Sequence, residues 1–554
     1  MKKALRLLFS LLPVLVLAAF VVSASGQNPP QGTPPQMAPD RKAYAEAAAI
    51  KEPDKKIEAL DKFAKDFPDS TMVFSAYQAI FDTLVKNYPD QKARILEQAY
   101  KAVDKAPAQV QMKANLFNSL GSQLSDAGIL LNEAETFASA GLALIEGEQA
   151  LSQANPPPQT NPSTPANPNA RGNANPQANL GRLKTNLQVT LGRIYLKQGK
   201  LDAAEKSLKD ALAANPQLAT ASLAIAEVYN KRGDSHNALA AYINAAAAAK
   251  MPIAARQALN TLYAKSHNGS LAGLEETLDT KYVELNPPPF EVEPYKASAK
   301  RTDRVVLAEV FTGSGCPPCV AADLAADLAR ERYSTRELVV IMYHEHIPQP
   351  DPMTTPQTTA RFKYYAERGV PTLAIDGATT VGGGARNATK GVYDRITKEI
   401  EKKLEVPAGA RLNLNAVMSG STVKTSVVVD KVTSESPDLK LHIVLVEGKL
   451  RYTGENGVRF HPMVVRSMAG TDGTGVSIKS KESQTCTWDF DLDAISAAIK
   501  KHLDEYEAGG HRGNTFTFTE KKYAIDPKDL SVAAFVQDEK TKAILQSVLI
   551  QIKP

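Results

Sequence analysis

The sequence predicts a multidomain chain: α-helical repeats, then an α/β unit, then an all-β unit. Three observations predict it. Apolar residues recur at three- and four-residue spacing as far as about residue 285. A strand, helix, strand order occupies roughly 305–343, and from Arg411 onward apolar and polar residues alternate in short runs. At 554 residues the chain is also longer than the ~100 to 200 residues of a single domain.

Residues 1–26 open on Lys2, Lys3 and Arg6, run apolar from Leu7 to Val22 and end on Ser23, Ala24, Ser25 and Gly26. This is the pattern of a secretory signal peptide. The run is interrupted by Ser10 and Pro13 and falls short of the ~20 apolar residues of a spanning helix, so cleavage is expected in preference to an uncleaved membrane anchor. The expected location is secreted or periplasmic, with no integral membrane segment after cleavage. Lys2, Lys3 and Arg6 carry three of the five net positive charges, and the +2 that remains gives no basis for nucleic-acid binding, which needs a concentrated basic face.

Residues 27–40 read as a Pro-rich linker. Residues 41–150 read as degenerate helical repeats punctuated by Pro53, Pro68 and Pro89, with Leu120, Gly121, Leu124 and Ala134 as their best echo of a repeat. Residues 151–182 are rich in proline and asparagine and read as a disordered linker that cannot bury apolar surface. Over 183–285 the pattern is regular: Leu191, Gly192, Tyr195, Ala204, Leu208, Ala211 and Pro216 are followed, after a shift of 34 residues, by Ala226, Tyr229, Ala238, Tyr242 and Ala245. That spacing resembles the tetratricopeptide repeat, which implies stacked helix pairs and a peptide or protein partner held on them. The helices from about Ala254 to Tyr282 read as a cap.

Only three cysteines occur, Cys316, Cys319 and Cys486, too few to staple a chain of this size. Cys316-Pro317-Pro318-Cys319 falls between a predicted strand and a predicted helix. Two intervening residues let the sulfurs meet in one small ring, as a disulfide or a dithiol, and a helix N-terminus favours the thiolate. Two other readings stay open. One is half of a zinc site, although no second Cys-x-x-Cys exists; the other is an inert structural disulfide.

The Cys316 to Cys319 motif after the first strand, with Gly369-Val370-Pro371-Thr372 beyond it, resembles the thioredoxin superfamily over 296–406. Glu309 to Gly313, His344 to Pro352 and Arg368 to Thr372 are similar to secreted bacterial thioredoxin-like proteins with a β-rich C-terminal domain. The resemblance implies an exposed nucleophile at Cys316, a resolving thiol at Cys319 and a cis Pro371 beside them. It implies thiol–disulfide exchange on a disulfide-bearing protein substrate, as a reductase or isomerase, with no organic or metal cofactor. An outside reductant, such as a membrane thiol reductase, would recycle the pair.

Gly315 stands where the family has tryptophan, and Glu309 lies one place before the usual acidic position. Glu309, His344 and His346 are candidates for tuning the thiolate or relaying its proton. For the histidines, a strand-end pair satisfied by Asp351 and backbone is the competing reading. Gly382-Gly383-Gly384 reads as a flexible turn and Cys486 as a core thiol. Residues 407–554 read as a β-sandwich with one inserted helix. The competing function is a non-catalytic scaffold of an envelope complex, separated from the enzyme by whether the disulfide is exposed or covered.

Overall fold

The computed structural model describes residues 38–154, 176–367, 369–470 and 473–552. The expected signal peptide, nearly all of the 27–40 linker and the middle of the 151–182 segment lie outside the described residues. The chain divides into two compact units, Met1–Lys105 and Ala106–Pro554.

The first unit holds α1 (Pro39–Ala48), α2 (Pro53–Asp66), α3 (Val73–Asn87) and α4 (Lys92–Asp104). Pro53 is the first residue of α2, where its missing N–H leaves no helical bond unmade. α2 buries Ile57, Leu60, Phe63 and Ala64, a three-and-four stripe, while α3 buries Ala76, Ile80, Phe81 and Leu84.

Among the described residues the second unit begins with eight helices: α5 (Val110–Ala127), α6 (Leu131–Ala154), α7 (Pro176–Gln198), α8 (Leu201–Ala214), α9 (Ala219–Lys231), α10 (Ser235–Ala248), α11 (Ile253–Ser266) and α12 (Leu274–Leu285). Residues of the 34-residue pattern, Ala204, Leu208, Ala211, Ala226, Ala238, Tyr242 and Ala245, are buried among α7 to α10. Glycine sets the closest approaches: a Cβ at Gly192 would lie 2.5 Å from Leu208 Cγ, and one at Gly121 would lie 2.9 Å from the Ala134 oxygen. The expected separation of two helical blocks by 151–182 differs from what is found. α6 runs to Ala154, α7 starts at Pro176, and α6 packs on α7 with Gly141 against Leu187, while the Thr190 hydroxyl of α7 donates to Asn118 of α5 at 2.7 Å. The stripe of α6 formed by Phe137, Ala138, Gly141 and Ile145 is wider than α5 can cover, and α7 supplies the rest. The division of the chain falls instead near residue 105.

Next come β1 (Val306–Thr312), α13 (Cys319–Arg332), β2 (Leu338–His344), α14 (Pro356–Tyr364), β3 (Thr372–Ile375), β4 (Ala378–Val381) and α15 (Thr389–Leu404). β1 and β2 are parallel, in register from Val306 with Leu338 to Thr312 with His344, and joined by α13. β3 runs antiparallel to β1, and β4 to β3. Every residue of β1 and β2 is buried, as expected of strands covered on both faces.

The last part holds β5 (Arg411–Ser419), β6 (Thr422–Asp430), β7 (Leu439–Arg451), β8 (Phe460–Met468), β9 (Val476–Ser477), β10 (Gln484–Asp491), α16 (Leu492–Gly509), β11 (Leu530–Asp538) and β12 (Ile544–Gln551). The expected self-contained sandwich over 407–554 is replaced by a shared sheet. β8 pairs with β2, giving one mixed sheet in the order β12-β11-β7-β8-β2-β1-β3-β4, with β9 on β7; β10-β6-β5 form a second sheet. The reason lies in β7 and β11, which are apolar on both faces. Val444, Val446, Ala533 and Phe535 enter the core around β1 and β2, while Leu441, Ile443, Leu445, Val532, Ala534 and Val536 enter the core beneath β5 and β6. A strand with two apolar faces must be covered twice.

Candidate functional site

Cys316 and Cys319 are joined in a disulfide with Cα atoms 5.3 Å apart. The helix begins at Cys319, with Pro318 as its N-cap, so Cys316 sits in the turn that leads into the helix. Neither proline has an N–H to enter a first helical turn, and each restricts the residue before it. The Cys319 N–H donates to the Cys316 oxygen at 3.1 Å and closes that turn.

The Val370–Pro371 peptide is cis, and Cys316 Sγ lies 3.8 Å from the Val370 oxygen. The glycine run is more than a turn. Gly384 N–H donates to the Pro318 oxygen at 2.7 Å, and the Gly384 oxygen accepts from Ala321 N–H at 3.0 Å. A Cβ at Gly383 would collide with the Pro318 oxygen and lie 3.0 Å from Pro371 Cδ. Gly382 to Gly384 therefore seat the disulfide turn against Pro371, and a glycine is needed at 383 because the Pro318 oxygen and the Pro371 ring occupy the space of a side chain.

The expectation of an exposed Cys316 is corrected. Cys316 is 1% exposed and Cys319 fully buried. The cover is the turn joining β7 to β8. The Asn456 side-chain amide donates to the oxygens of Gly313 at 3.3 Å and Cys316 at 3.4 Å, and its N–H donates to the Ser314 oxygen at 3.1 Å. Where the family resemblance leads to tryptophan, a Cβ at Gly315 would stand 2.7 Å from Gln349 Cβ and 2.8 Å from Glu455 Oε2. The same turn is held from its other side by the segment between α10 and α11. Lys250 N–H donates to the Gly454 oxygen at 3.2 Å, and Lys250 Nζ pairs with Glu455 at 2.7 Å. The helical stack thus touches the loop that closes the disulfide.

Glu309, a candidate proton relay, is placed otherwise. Its carboxylate meets Arg361 Nε at 2.7 Å and Nη2 at 3.0 Å, and accepts from the Tyr365 hydroxyl. Burial alone would raise it, but the Arg361 guanidinium and the tyrosine hydroxyls outweigh burial and hold it below the usual carboxylate range. A carboxylate so paired binds α14 to β1.

His344 and His346 both attach to Asp351. His344 Nδ1 is 3.0 Å from Asp351 Oδ2, and Asp351 N–H donates to His346 Nδ1 at 2.9 Å. Asp351 also accepts from the N–H groups of Ser314 at 2.6 Å and Met353 at 2.8 Å. Burial would raise its carboxyl, yet His344 and these donors hold it well below the ordinary range. Asp351 therefore fixes the backbone two residues before Cys316. His346 stacks on Tyr506 of α16 with centroids 3.5 Å apart, and burial pushes it down to about 4.

One acid was not singled out from the sequence. Asp323 lies four residues beyond Cys319, hence on the same helix face, and is buried with Oδ1 unpartnered. Burial raises it to about 7, and the nearby Thr312 and His344 relieve only part of that. Its signal was the i, i+4 spacing from the second cysteine. Cys486, expected in the core, is half-buried on β10, and burial raises its thiol. Among the described residues no group of three or more histidine, cysteine, aspartate or glutamate side chains is arranged to hold a metal ion.

No protein-family model matches the chain, and no curated protein matches it. Among solved structures it is similar to PilF of Pseudomonas aeruginosa, at 14% identity over 44% of this chain and 91% of that one, with a TM-score of 0.28. It is also similar to PilW, a type IV pilus biogenesis factor, at 15% identity over 44% and 91%, with a TM-score of 0.27. BtubC from P. vanneervenii gives 14% identity over 48% and 98%, with a TM-score of 0.28. Scores of this size carry no argument, and the function is read from this chain's own residues.

Proposed function

We propose that this chain is a protein-binding scaffold, in which tetratricopeptide-like helices hold a protein partner and a thioredoxin-like unit carries a covered disulfide. The observation that carries the reading is the 1% exposure of Cys316, whose backbone oxygen accepts from the Asn456 amide, a burial that leaves the sulfur closed to a substrate. Recruitment is supported by a cavity of about 690 Å³ among α8, α9, α10 and α12, lined in part by Leu212, Ile225, Tyr229, Asn244 and Lys281. The thioredoxin-like assignment is supported by the β1-α13-β2 crossover with the cysteines at its first turn and by the β3-β4 hairpin entered through Pro371. The pattern of residues 1–26 supports a place outside the cytoplasm, in an envelope complex, and no described helix is long and apolar enough to cross a membrane.

A second reading, a thiol–disulfide oxidoreductase of reductase or isomerase type, is favoured by one observation: the pair lies at the start of α13 with Cys316 Sγ against the Val370–Pro371 segment. In that reading the Cys316 thiolate attacks a substrate disulfide, one substrate sulfur leaves as thiolate and takes a proton, and Cys319 displaces the other. The products are a substrate dithiol and the Cys316–Cys319 disulfide, which an external dithiol must reduce again.

Insulin reduction by the purified full chain with dithiothreitol separates the two. The scaffold gives the rate of dithiothreitol alone, identical in Cys316→Ser. A rate at least tenfold above that of Cys316→Ser overturns the scaffold and establishes the enzyme.

A further inference from the structure

Among the described residues the mixed sheet ends at β4, and no strand pairs with its outer edge. Asp376 and Gly377 form the two-residue turn from β3 to β4 with φ of 48° and 83°, the left-handed pair that a tight hairpin requires. Ile375 and Ala378 close the hairpin. They form the hydrogen-bonded pair, so the peptide groups of Thr379, opposite Ala374, point away from β3. Ala378, Thr379 and Thr380 are exposed. Proteins commonly blunt such an edge with lysine, proline or a bulge, whereas β4 reads Ala-Thr-Thr-Val.

A cavity of about 400 Å³ lies between this edge and α15. Leu373, Ile375, Val392 and Ile396 give it apolar walls, and Arg395, Lys398 and Lys403 stand around them. Among the described residues none of these three cations makes a hydrogen bond or ion pair. The acid beside them, Glu399, is taken by Lys402 at 2.7 Å. Uncommitted backbone, an apolar slot and surplus positive charge therefore coincide on one edge.

We infer that β4 is a docking edge for an extended acidic segment of a partner protein. The segment adds to the sheet through the Thr379 peptide groups, fills the slot with its apolar side chains and sets carboxylates against Arg395, Lys398 and Lys403. Backbone pairing supplies affinity and the side chains facing α15 supply selectivity. This surface involves neither cysteine and is distinct from the cavity among α8 to α12, so it goes beyond the scaffold reading and does not depend on it.

The probe is a fluorescein-labelled decapeptide in which threonine alternates with valine and glutamate in turn, titrated with the purified full chain and followed by anisotropy. Saturable binding is expected, at least tenfold weaker for the peptide with lysine in place of glutamate and at least tenfold weaker in Thr379→Pro and in the double variant Arg395→Glu, Lys398→Glu. A peptide N-methylated at alternate residues leaves the protein untouched and is expected to lose binding as well. Equal affinity for the acidic and basic peptides, undiminished binding of the N-methylated peptide, or no binding to the native chain overturns the proposal. A chain that dimerises in sedimentation and becomes monomeric in Thr379→Pro assigns the edge to a second copy and also overturns it.

Discussion

The side-chain amide of Asn456 donates to the backbone oxygen of Cys316 at 3.4 Å, joining the turn after β7 to the disulfide turn across 140 positions of sequence. With the donation from Asn456 N–H to the Ser314 oxygen, it fastens a cover over a bond that the cysteine spacing alone leaves open to solvent.

Removing that amide uncovers the pair. Asn456→Ala deletes two hydrogen bonds to backbone, each worth about 1 kcal/mol, and is expected to speed reduction of the folded disulfide by dithiothreitol by up to about thirtyfold. Alkylation of trapped thiols at timed intervals measures it. Lys250→Ala, which frees Glu455 from the helical stack, is expected to act in the same direction with a smaller effect. Unchanged rates in both variants would show that the cover opens without passing through these contacts.

Gly383 is required by space and not by backbone conformation. A Cβ there meets the Pro318 oxygen and the Pro371 ring, neither of which is the free end of a flexible side chain. Gly383→Ala is expected to lower stability by about 1–3 kcal/mol in urea unfolding, whereas Gly391→Ala, whose nearest neighbour is the end of Arg395 at 3.8 Å, is expected to be silent.

The Arg361–Glu309 pair is buried on both sides, at 4% and 0% exposure. Arg361→Met leaves a carboxylate without its cation in an apolar site and is expected to cost about 3–5 kcal/mol. Adding Glu309→Gln removes the stranded charge, and most of the loss is expected to return in the same denaturation experiment. Equal destabilisation of the single and double variants would show that packing and not charge dominates there.

Acid sensitivity follows from buried imidazoles. Burial, aided by the neighbouring His344, pushes His461 down to about 3, and burial pushes His346 down to about 4. Below about pH 6.5 the unfolded chain takes up protons at these two histidines that the folded one refuses, so they lower stability as the pH drops from 6.5 towards 4, while Asp323 and Glu345, raised to about 7 and about 8 by burial, act in the opposite sense over the same range. The expected slope is about 1.4 kcal/mol per pH unit for each of these histidines. Urea midpoints across that range measure it, and His461→Gln is expected to flatten the curve by its share.

Much of this arrangement is local and was legible in the chain. The three-and-four spacing of Leu208, Ala211, Tyr242 and Ala245 signals helices because 3.6 residues make a turn, and the two residues between Cys316 and Cys319 are enough to bring the sulfurs together. The strand, helix, strand order around Cys316 and the alternation after Arg411 are likewise properties of short windows.

What the windows omit is which distant surface covers which. The double-faced apolar pattern of β7 and β11 is visible in the sequence, but only the folded chain decides that β8 meets β2 and merges two sheets expected to be separate. Glu309 reads in the sequence as a candidate proton relay, and only the fold sets Arg361 beside it as a buried ion pair. Asp323 was marked in the sequence only by its place four residues after Cys319, and its burial was set by the fold. By itself the sequence determined the elements and the sulfur pair, since both depend on neighbours within a few residues. Tertiary structure alone decided that the pair is closed and that β4 is open, because solvent exposure is set by contacts such as Asn456 with Cys316 that no local spacing encodes.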